Sequence, residues 1–163
     1  MRSGLGSHVT SAPAGTSSAP HANVNARVHV CGLNKSGQCG QGSYDDGCRV
    51  PRLVRAFADA GTRIVSVAAA NGCEHIVAVA EGGAVYSWGY NDRGQLGHGD
   101  TAKRSAPTRI EGLSGTFAVA AAGSNHPSAV LCDPGELWTF GMNDCGQLGI
   151  DSTDRQTSPQ RVT

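Results

Sequence analysis

Short apolar segments alternate with glycine-rich turns from Val28 to the end of the chain, a pattern typical of β-strands rather than helices. Alanine-rich segments are predicted as first strands, because small side chains suit strands crowded near a central axis. Segments rich in branched and aromatic residues are predicted as second and third strands. The predicted strands are residues 67–70, 76–79, 85–88, 119–122, 129–132 and 137–140. Turns are expected at Glu81-Gly82-Gly83 and at Asp133-Pro134-Gly135, where Pro-Gly favours a type II turn.

A loop motif occurs three times. VHVCGLNKSGQCGQG begins at Val28, VYSWGYNDRGQLGHG at Val85 and LWTFGMNDCGQLGID at Leu137. The shared frame is apolar-x-x-(aromatic or Cys)-G-x-N-x-x-G-Q-x-G, and successive copies are 57 and 52 residues apart. The shared positions are Gly32, Asn34, Gly37, Gln38 and Gly40 in the first copy, Trp88, Gly89, Asn91, Gly94, Gln95 and Gly97 in the second, and Phe140, Gly141, Asn143, Gly146, Gln147 and Gly149 in the third.

Each residue type in this motif suggests a structural role. The glycines are predicted to lie where a Cβ atom would clash. The Asn and Gln side chains are predicted to hydrogen-bond the loop backbone. Trp88, Trp138 and Phe140 are predicted to pack between adjacent sheets.

A second motif lies between these loops, where small residues lead to a glycine (Gly72, Gly123) and a histidine three positions later. His75 and His126 are therefore predicted to be equivalent repeat residues that hydrogen-bond between strands. A ring of histidines binding a ligand or metal is the alternative. The recurrence favours the structural role, because a catalytic histidine would be expected once.

A period of about 50 residues with four short strands per unit predicts an all-β fold, a partial β-propeller of antiparallel four-stranded blades. The predicted units are residues 27–62, 63–115 and 116–163. Residues 1–26, rich in Ser, Ala and Pro, are predicted to be a disordered N-terminal leader, with a transit peptide as the weaker alternative.

The block WGYNDRGQLGHG from Trp88 and the block VAAAGSNH from Val119 resemble the repeats of the regulator of chromosome condensation family. This resemblance covers the chain from Val28 onward. It implies a seven-bladed propeller that binds through its faces. Members of the family include an exchange factor for the GTPase Ran that docks on chromatin, ubiquitin-ligase subunits, photoreceptors and ciliary proteins. Because seven blades need more than 163 residues, we expect a fragment, completed by missing sequence or by association.

Composition and charge argue against several classes of protein. Thirteen basic residues offset thirteen acidic ones, so there is no overall basic excess of the kind that nucleic-acid binders carry. No apolar run is long enough to span a membrane, and no secretory signal is evident. Without a signal, the six cysteines are expected to be reduced, and they lack C-x-x-C spacing.

The candidate chemical sites are weak. Cys31, Cys39 and Cys48 are one candidate metal site. The repeat explains their positions better, because the first copy departs from it there, with cysteines replacing an aromatic residue and a leucine. Cys73-Glu74-His75 resembles a nucleophile beside a base, but neighbouring strand residues point to opposite faces. We therefore predict no enzyme activity by covalent catalysis, no cofactor and no metal.

The sequence thus predicts a protein-interaction scaffold, with localisation in the cytoplasm, the nucleus or both. The expected partner is a protein. One alternative is a guanine-nucleotide exchange factor for a Ran-like small GTPase, which would need an inserted wedge hairpin. A chromatin-binding module and the substrate-binding part of a ubiquitin ligase are two further hypotheses. Chromatin or nucleic acid has only weak support from scattered basic residues.

Overall fold

The computed structural model describes residues 8–10, 27–69, 74–123 and 126–163. The elements are β1 (His8–Thr10), β2 (His29–Asn34), β3 (Asp45–Leu53), α1 (Arg55–Asp59), β4 (Ile64–Ala68), β5 (His75–Ala80), β6 (Val85–Gly89), β7 (Arg104–Arg109), the 3-10 turn η1 (Glu111–Leu113), β8 (Phe117–Gly123), β9 (Pro127–Asp133), β10 (Glu136–Gly141) and β11 (Gln156–Arg161).

These strands form three antiparallel sheets in chain order. The second sheet is β4-β5-β6-β7 and the third is β8-β9-β10-β11, so each is a four-stranded meander. The prediction of an all-β fold built from antiparallel four-stranded blades is therefore confirmed. The first sheet has three described strands, β1-β2-β3, in which β1 lies beside β2 as β5 lies beside β6. Strand β1 falls within the predicted leader, and the other residues of 1–26 lie outside the described ranges.

The last strand of each sheet in chain order (β3, β7 and β11) carries a proline, namely Pro51, Pro107 and Pro159. Each of these strands has only one neighbour in its sheet. A strand with one free edge tolerates a proline because the missing N–H need not join a hydrogen-bond ladder. The polar, proline-containing sequence explains why the apolar pattern did not locate these strands.

Other boundaries and turns also differ from the predictions. The first strands begin earlier, at Ile64 and Phe117, and residue 70 lies outside the described ranges. Gly135 has the expected positive φ of 102°. Its N–H donates to the carbonyl of Cys132 at 2.7 Å, and the Asp133–Pro134 bond is cis. The type II turn prediction is therefore wrong, because Pro134 occupies the third position of the turn.

The sheets stack face to face and enclose two apolar cores. All six residues of β5 are buried, because both faces of the second sheet are covered. Ile76, Ala78 and Trp88 contribute to the core shared with the first sheet. Val77 and Val79 contribute to the core shared with the third sheet, which also contains Ile110, Val130 and Phe140. This alternation follows from the two-residue period of a strand.

Candidate functional site: the repeated loops

The loop after each third strand is closed by its asparagine. The Oδ1 atoms of Asn34, Asn91 and Asn143 each accept a hydrogen bond from the backbone N–H five residues later, at 2.9 Å in every copy. The Nδ2 groups donate to carbonyls nine to eleven residues downstream, for example from Asn91 to Ala102 at 3.0 Å. Each asparagine side chain is buried, and its hydrogen bonds join the two ends of its loop.

The glutamine of each motif supports the same loop from inside. Its Oε1 accepts the backbone N–H two residues earlier, at 2.9 Å for Gln38, 2.8 Å for Gln95 and 2.9 Å for Gln147. Two successive backbone turns complete the loop, and in the second copy they run from Gly94 N–H to Asn91 O and from Gly97 N–H to Gly94 O. The motif therefore builds one rigid loop shape three times.

The central glycines of the first and second loops lie against the outer strand of the next sheet. A Cβ atom on Gly37 would lie 2.5 Å from the Cα of Ser105, and one on Gly94 would lie 2.7 Å from the Cα of Thr157. Both glycines have positive φ, 82° and 77°. Gly146 has the same conformation at 71°, but a Cβ there would meet no described atom within 4 Å. The glycines thus permit a close approach between neighbouring units.

The aromatic anchors lie beneath the loop of the preceding unit. Trp88 is fully buried, and its indole N–H donates to the carbonyl of Gln38 at 3.0 Å. A Cβ on Gly40 would lie 2.9 Å from that indole nitrogen, as one on Gly97 would lie 2.9 Å from the Phe140 ring. Trp138 is partly buried against the second core.

A residue that the sequence analysis missed compensates for the phenylalanine in the third unit. Phe140 has no N–H, and Ser128 instead donates its Oγ–H to the carbonyl of Gln95 at 2.9 Å. This carbonyl is the counterpart of the Gln38 carbonyl that Trp88 binds. A lone serine in a predicted strand gives no signal of this role, which becomes visible only when the second and third units are compared in space.

The two predicted histidines do not occupy equivalent positions, which corrects the sequence alignment. His75 pairs with Gly89, whereas the residue that pairs with Gly141 is Pro127. His126 instead matches Glu74, because their carbonyls accept the N–H groups of Met142 and Tyr90 respectively. The two histidines are therefore offset by one residue in strand register, although each follows its glycine by three residues in the sequence. Part of the β4–β5 connection lies outside the described ranges. The positions of His75 and His126 therefore do not support a ligand-binding ring.

His75 links the second and third units. Its Nε2 lies 2.9 Å from the Oγ of Ser128. Because Ser128 gives its only hydroxyl proton to Gln95, His75 must donate from Nε2, and its buried Nδ1 has no described partner. Burial, with a smaller contribution from His126, lowers the pKa of His75 to about 4. The imidazole is thus neutral at physiological pH.

Protonation of His75 is expected to weaken the fold below neutral pH. Because its pKa falls from 6.5 in the unfolded chain to about 4 in the fold, the unfolded state binds the proton first. The contribution of His75 to the free energy of unfolding should be fully present above pH 6.5 and should fall by on the order of 2–3 kcal/mol as the pH drops toward 4. Denaturant titrations at several pH values measure this slope.

The control for this prediction is His75→Gln, which keeps an N–H donor for Ser128 but does not titrate. His98 titrates in both proteins, because burial and then Arg104 lower its pKa to about 4 as well. The variant should therefore show a shallower loss of stability toward acid. Parallel pH profiles for the two proteins would contradict the assignment.

The remaining candidate sites have less support from the structure. Cys39 and Cys48 are buried and Cys31 is partly buried, and no described group of three or more His, Cys, Asp or Glu side chains is placed to hold a metal ion. Cys73 lies outside the described ranges. Among the basic residues, Arg63 pairs with Glu81 and Arg104 with Asp100. No helix in the described part of the chain has the length and apolarity needed to cross a membrane.

The outward face of the third sheet differs from that of the second. Val79 and Val85 are 0% and 2% exposed, whereas the residues at the same register, Leu131 and Leu137, are 40% and 39% exposed. Gln147 is likewise exposed, although Gln38 and Gln95 are buried. The third unit therefore presents an apolar face of the type that the second unit buries.

Comparison with known proteins identifies the repeat. The family model for the regulator of chromosome condensation (RCC1) repeat matches residues 25–79, 82–130 and 134–163, and a second RCC1 repeat model matches residues 64–95. Protein RCC2 of Homo sapiens is 43% identical over 105 residues, which cover 63% of this chain and 20% of RCC2. The E3 ubiquitin-protein ligase HERC2 of Homo sapiens is 36% identical over 135 residues, 80% of this chain and 3% of HERC2.

Solved structures share the architecture. Prp20p from Saccharomyces cerevisiae superposes with a TM-score of 0.74 at 23% identity, covering 86% of this chain and 35% of Prp20p. Human WBSCR16 superposes with a TM-score of 0.69 at 26% identity, covering 83% of this chain and 34% of WBSCR16. The chain thus spans about a third of these solved chains and a fifth or less of RCC2 and HERC2. With the repeat model matching most of its residues, the chain belongs to the RCC1 repeat family.

Proposed function

We propose that the chain is a protein-interaction scaffold, one arc of a longer propeller whose repeated loops contact a protein partner. The observation that supports this most directly is that each loop has shared positions that form internal hydrogen bonds and other positions whose side chains vary between copies. The Asn and Gln side chains are used for internal hydrogen bonds, so the loop is rigid. Rigid loops that carry variable side chains are a common basis for binding surfaces.

The variable side chains are the two between the asparagine and the central glycine. They are Lys35 and Ser36, Asp92 and Arg93, and Asp144 and Cys145 in the three copies. All except Ser36 are exposed. Ser36 instead donates to the Glu74 carboxylate at 2.5 Å, which links the first loop to the second unit. The charge at the loop tips therefore changes from unit to unit, while the loop shape is constant.

The exposed face of the third sheet supports the longer propeller. Leu131 and Leu137 lie where the second sheet buries Val79 and Val85 against a neighbour. Burying a leucine side chain completely stabilises a fold by about 1.5–3 kcal/mol, so covering the exposed two fifths of these two side chains should contribute about 1–2 kcal/mol in total. We propose that a further unit of the same family covers this face in the whole protein.

Two classes of partner are to be tested first. The yeast structure of Prp20p is described together with its binding properties to Gsp1p and histones. A Gsp1p-type small GTPase and core histones are therefore the protein probes that we propose for this chain. The similarity to the ubiquitin ligase HERC2 suggests a third hypothesis, in which the chain is the substrate-binding part of a ubiquitin ligase.

Charge reversal at one loop tip tests the proposal. Asp92 is exposed in the loop after β6, whereas Asp59 is exposed in α1, at the opposite end of the sheets because α1 follows the Leu53 end of β3. Asp92→Lys should change the affinity for at least one probe tenfold or more, and Asp59→Lys should change it less than twofold. Biolayer interferometry measures both.

The proposal would be contradicted if the chain bound neither probe, or if Asp92→Lys and Asp59→Lys changed the affinity equally. A nucleotide-release assay with the same GTPase forms a second arm. Faster nucleotide release in the presence of the chain would favour the exchange-factor hypothesis over the scaffold hypothesis. Binding without faster release would leave the scaffold as the better description.

A further inference from the structure

Two cysteines in the first unit replace unrelated residues of the repeat. Cys39 occupies the motif position that holds Leu96 and Leu148 in the other units. Cys48 pairs with Gly32 in the strand register, and the matching residues opposite Gly89 and Gly141 are Arg104 and Gln156. Both departures from the repeat therefore occur in the same unit, at positions nine residues apart.

The structure brings these two side chains together. The Sγ atoms of Cys39 and Cys48 are 3.2 Å apart. Both residues are buried, with exposures of 1% and 4%. Cys48 Sγ also lies 3.3 Å from the carbonyl of Val30, and Cys39 Sγ lies 3.6 Å from that of Leu33. The pair thus connects the loop to the beginning of strand β3.

We propose that Cys39 and Cys48 are a disulfide site, which forms when the chain meets a low-molecular-weight disulfide such as oxidised glutathione. The thiolate of one cysteine attacks the reagent disulfide and displaces one glutathione thiol, leaving a mixed disulfide. The other cysteine then attacks the protein sulfur and displaces the second thiol. The protein loses two hydrogens, and one reagent disulfide is reduced to two thiols.

Bond formation requires only a small movement. A disulfide bond is about 2.05 Å long, so the sulfur atoms must approach by about 1 Å. Cys39 lies in a loop and Cys48 lies in a strand at the sheet edge, where such a shift is readily accommodated.

The reaction is expected to be slow in the folded chain. Burial, together with the neighbouring Cys48, raises the pKa of the Cys39 thiol to about 12. Little of it is then present as the reactive thiolate near neutral pH. The reduced pair should therefore persist in a reducing compartment, and oxidation should need local opening or a prolonged oxidising environment.

The disulfide would act on the contact between the first and second units. Gln38 and Gly40, which flank Cys39, hold the Trp88 ring through the indole N–H bond and the close approach. Fixing Cys39 to β3 limits the motion of this loop in the folded and unfolded chain alike. The oxidised chain is therefore expected to hold Trp88 more firmly and to unfold at a higher temperature.

Peptide mapping provides a direct test. Trypsin cleaves after Lys35 and Arg49 and leaves Cys39 and Cys48 on one peptide, residues 36–49, while Cys31 lies on the preceding peptide. The chain is equilibrated with oxidised and reduced glutathione for a day, starting from the folded and from the unfolded reduced state. Free thiols are then alkylated, and digestion follows without reductant.

The expected result is an unalkylated 36–49 peptide that is two hydrogens lighter than its reduced form, obtained from both starting states. The unfolding midpoint of the oxidised chain should rise by several degrees. Cys39→Leu introduces the residue of both other units, and Cys48→Gln introduces the residue of the third unit. Each substitution should abolish the midpoint shift. Alkylation of both thiols in buffers that oxidise exposed Cys145, or a crosslink to Cys31, would overturn the proposal.

Discussion

Trp88→Ala is expected to lower the free energy of unfolding by about 3–5 kcal/mol, the usual cost of truncating a buried aromatic residue. The indole is fully buried at the junction of the first two units, 5.7 Å from the Phe57 ring centroid. It supports the first loop through the bond to the Gln38 carbonyl. The substitution leaves a cavity and an unsatisfied carbonyl, and both effects lower stability. Urea denaturation measures the loss.

Trp88→Phe is the matched control, because Phe140 occupies the same position in the third unit. It keeps most of the packing and removes the N–H, so it should cost clearly less than the alanine. Adding Ile76→Ser to this variant imitates Ser128, which supplies the missing donor in the third unit. A loss below 1 kcal/mol for Trp88→Ala would show that the two units do not pack through this ring.

The loops were predictable from the sequence because their Asn and Gln side chains form hydrogen bonds within the loop itself. Asn91 accepts from Leu96 within the same loop, and Gln95 accepts from Arg93, so the contacts lie within five residues of each other in sequence. Local contacts of this kind leave a fixed spacing in the sequence. Three copies of that spacing were enough to predict the blades and their third strands.

The fourth strands and the histidine register were not predictable in the same way. Residues 104–109 contain two arginines and a proline, and they form a strand only because β6 provides a partner. His126 follows its glycine at the same spacing as His75, yet the β4–β5 connection differs in length. Strand register then decides which residue faces Gly141. Both features depend on partners that are distant in sequence.

Long-range contacts also explain why the sequence indicates only a weak metal candidate at Cys39 and Cys48, together with Cys31. These cysteines lack C-x-x-C spacing, and only the return of β3 beside the loop brings the sulfur atoms of Cys39 and Cys48 together. Ser128 was missed for a related reason. Its role appears only when the indole N–H of Trp88 is compared with the ring of Phe140 in space.

Gly94→Ala is expected to destabilise the chain by about 2–4 kcal/mol. The alanine Cβ would lie 2.7 Å from the Cα of Thr157 in β11, so the loop or the neighbouring sheet must move. Overpacking of this kind costs about 1–3 kcal/mol. The φ of 77° adds about 1 kcal/mol, because an L side chain is strained in the left-handed region.

Comparing Gly94→Ala with Gly146→Ala tests whether the loop of one unit packs against the outer strand of the next. The two glycines hold the same motif position with nearly the same φ, 77° and 71°, but only Gly94 has a described neighbour within 4 Å. Urea denaturation should show that Gly94→Ala costs about 1–3 kcal/mol more than Gly146→Ala. Equal losses for the two variants would contradict the side-by-side packing of the units.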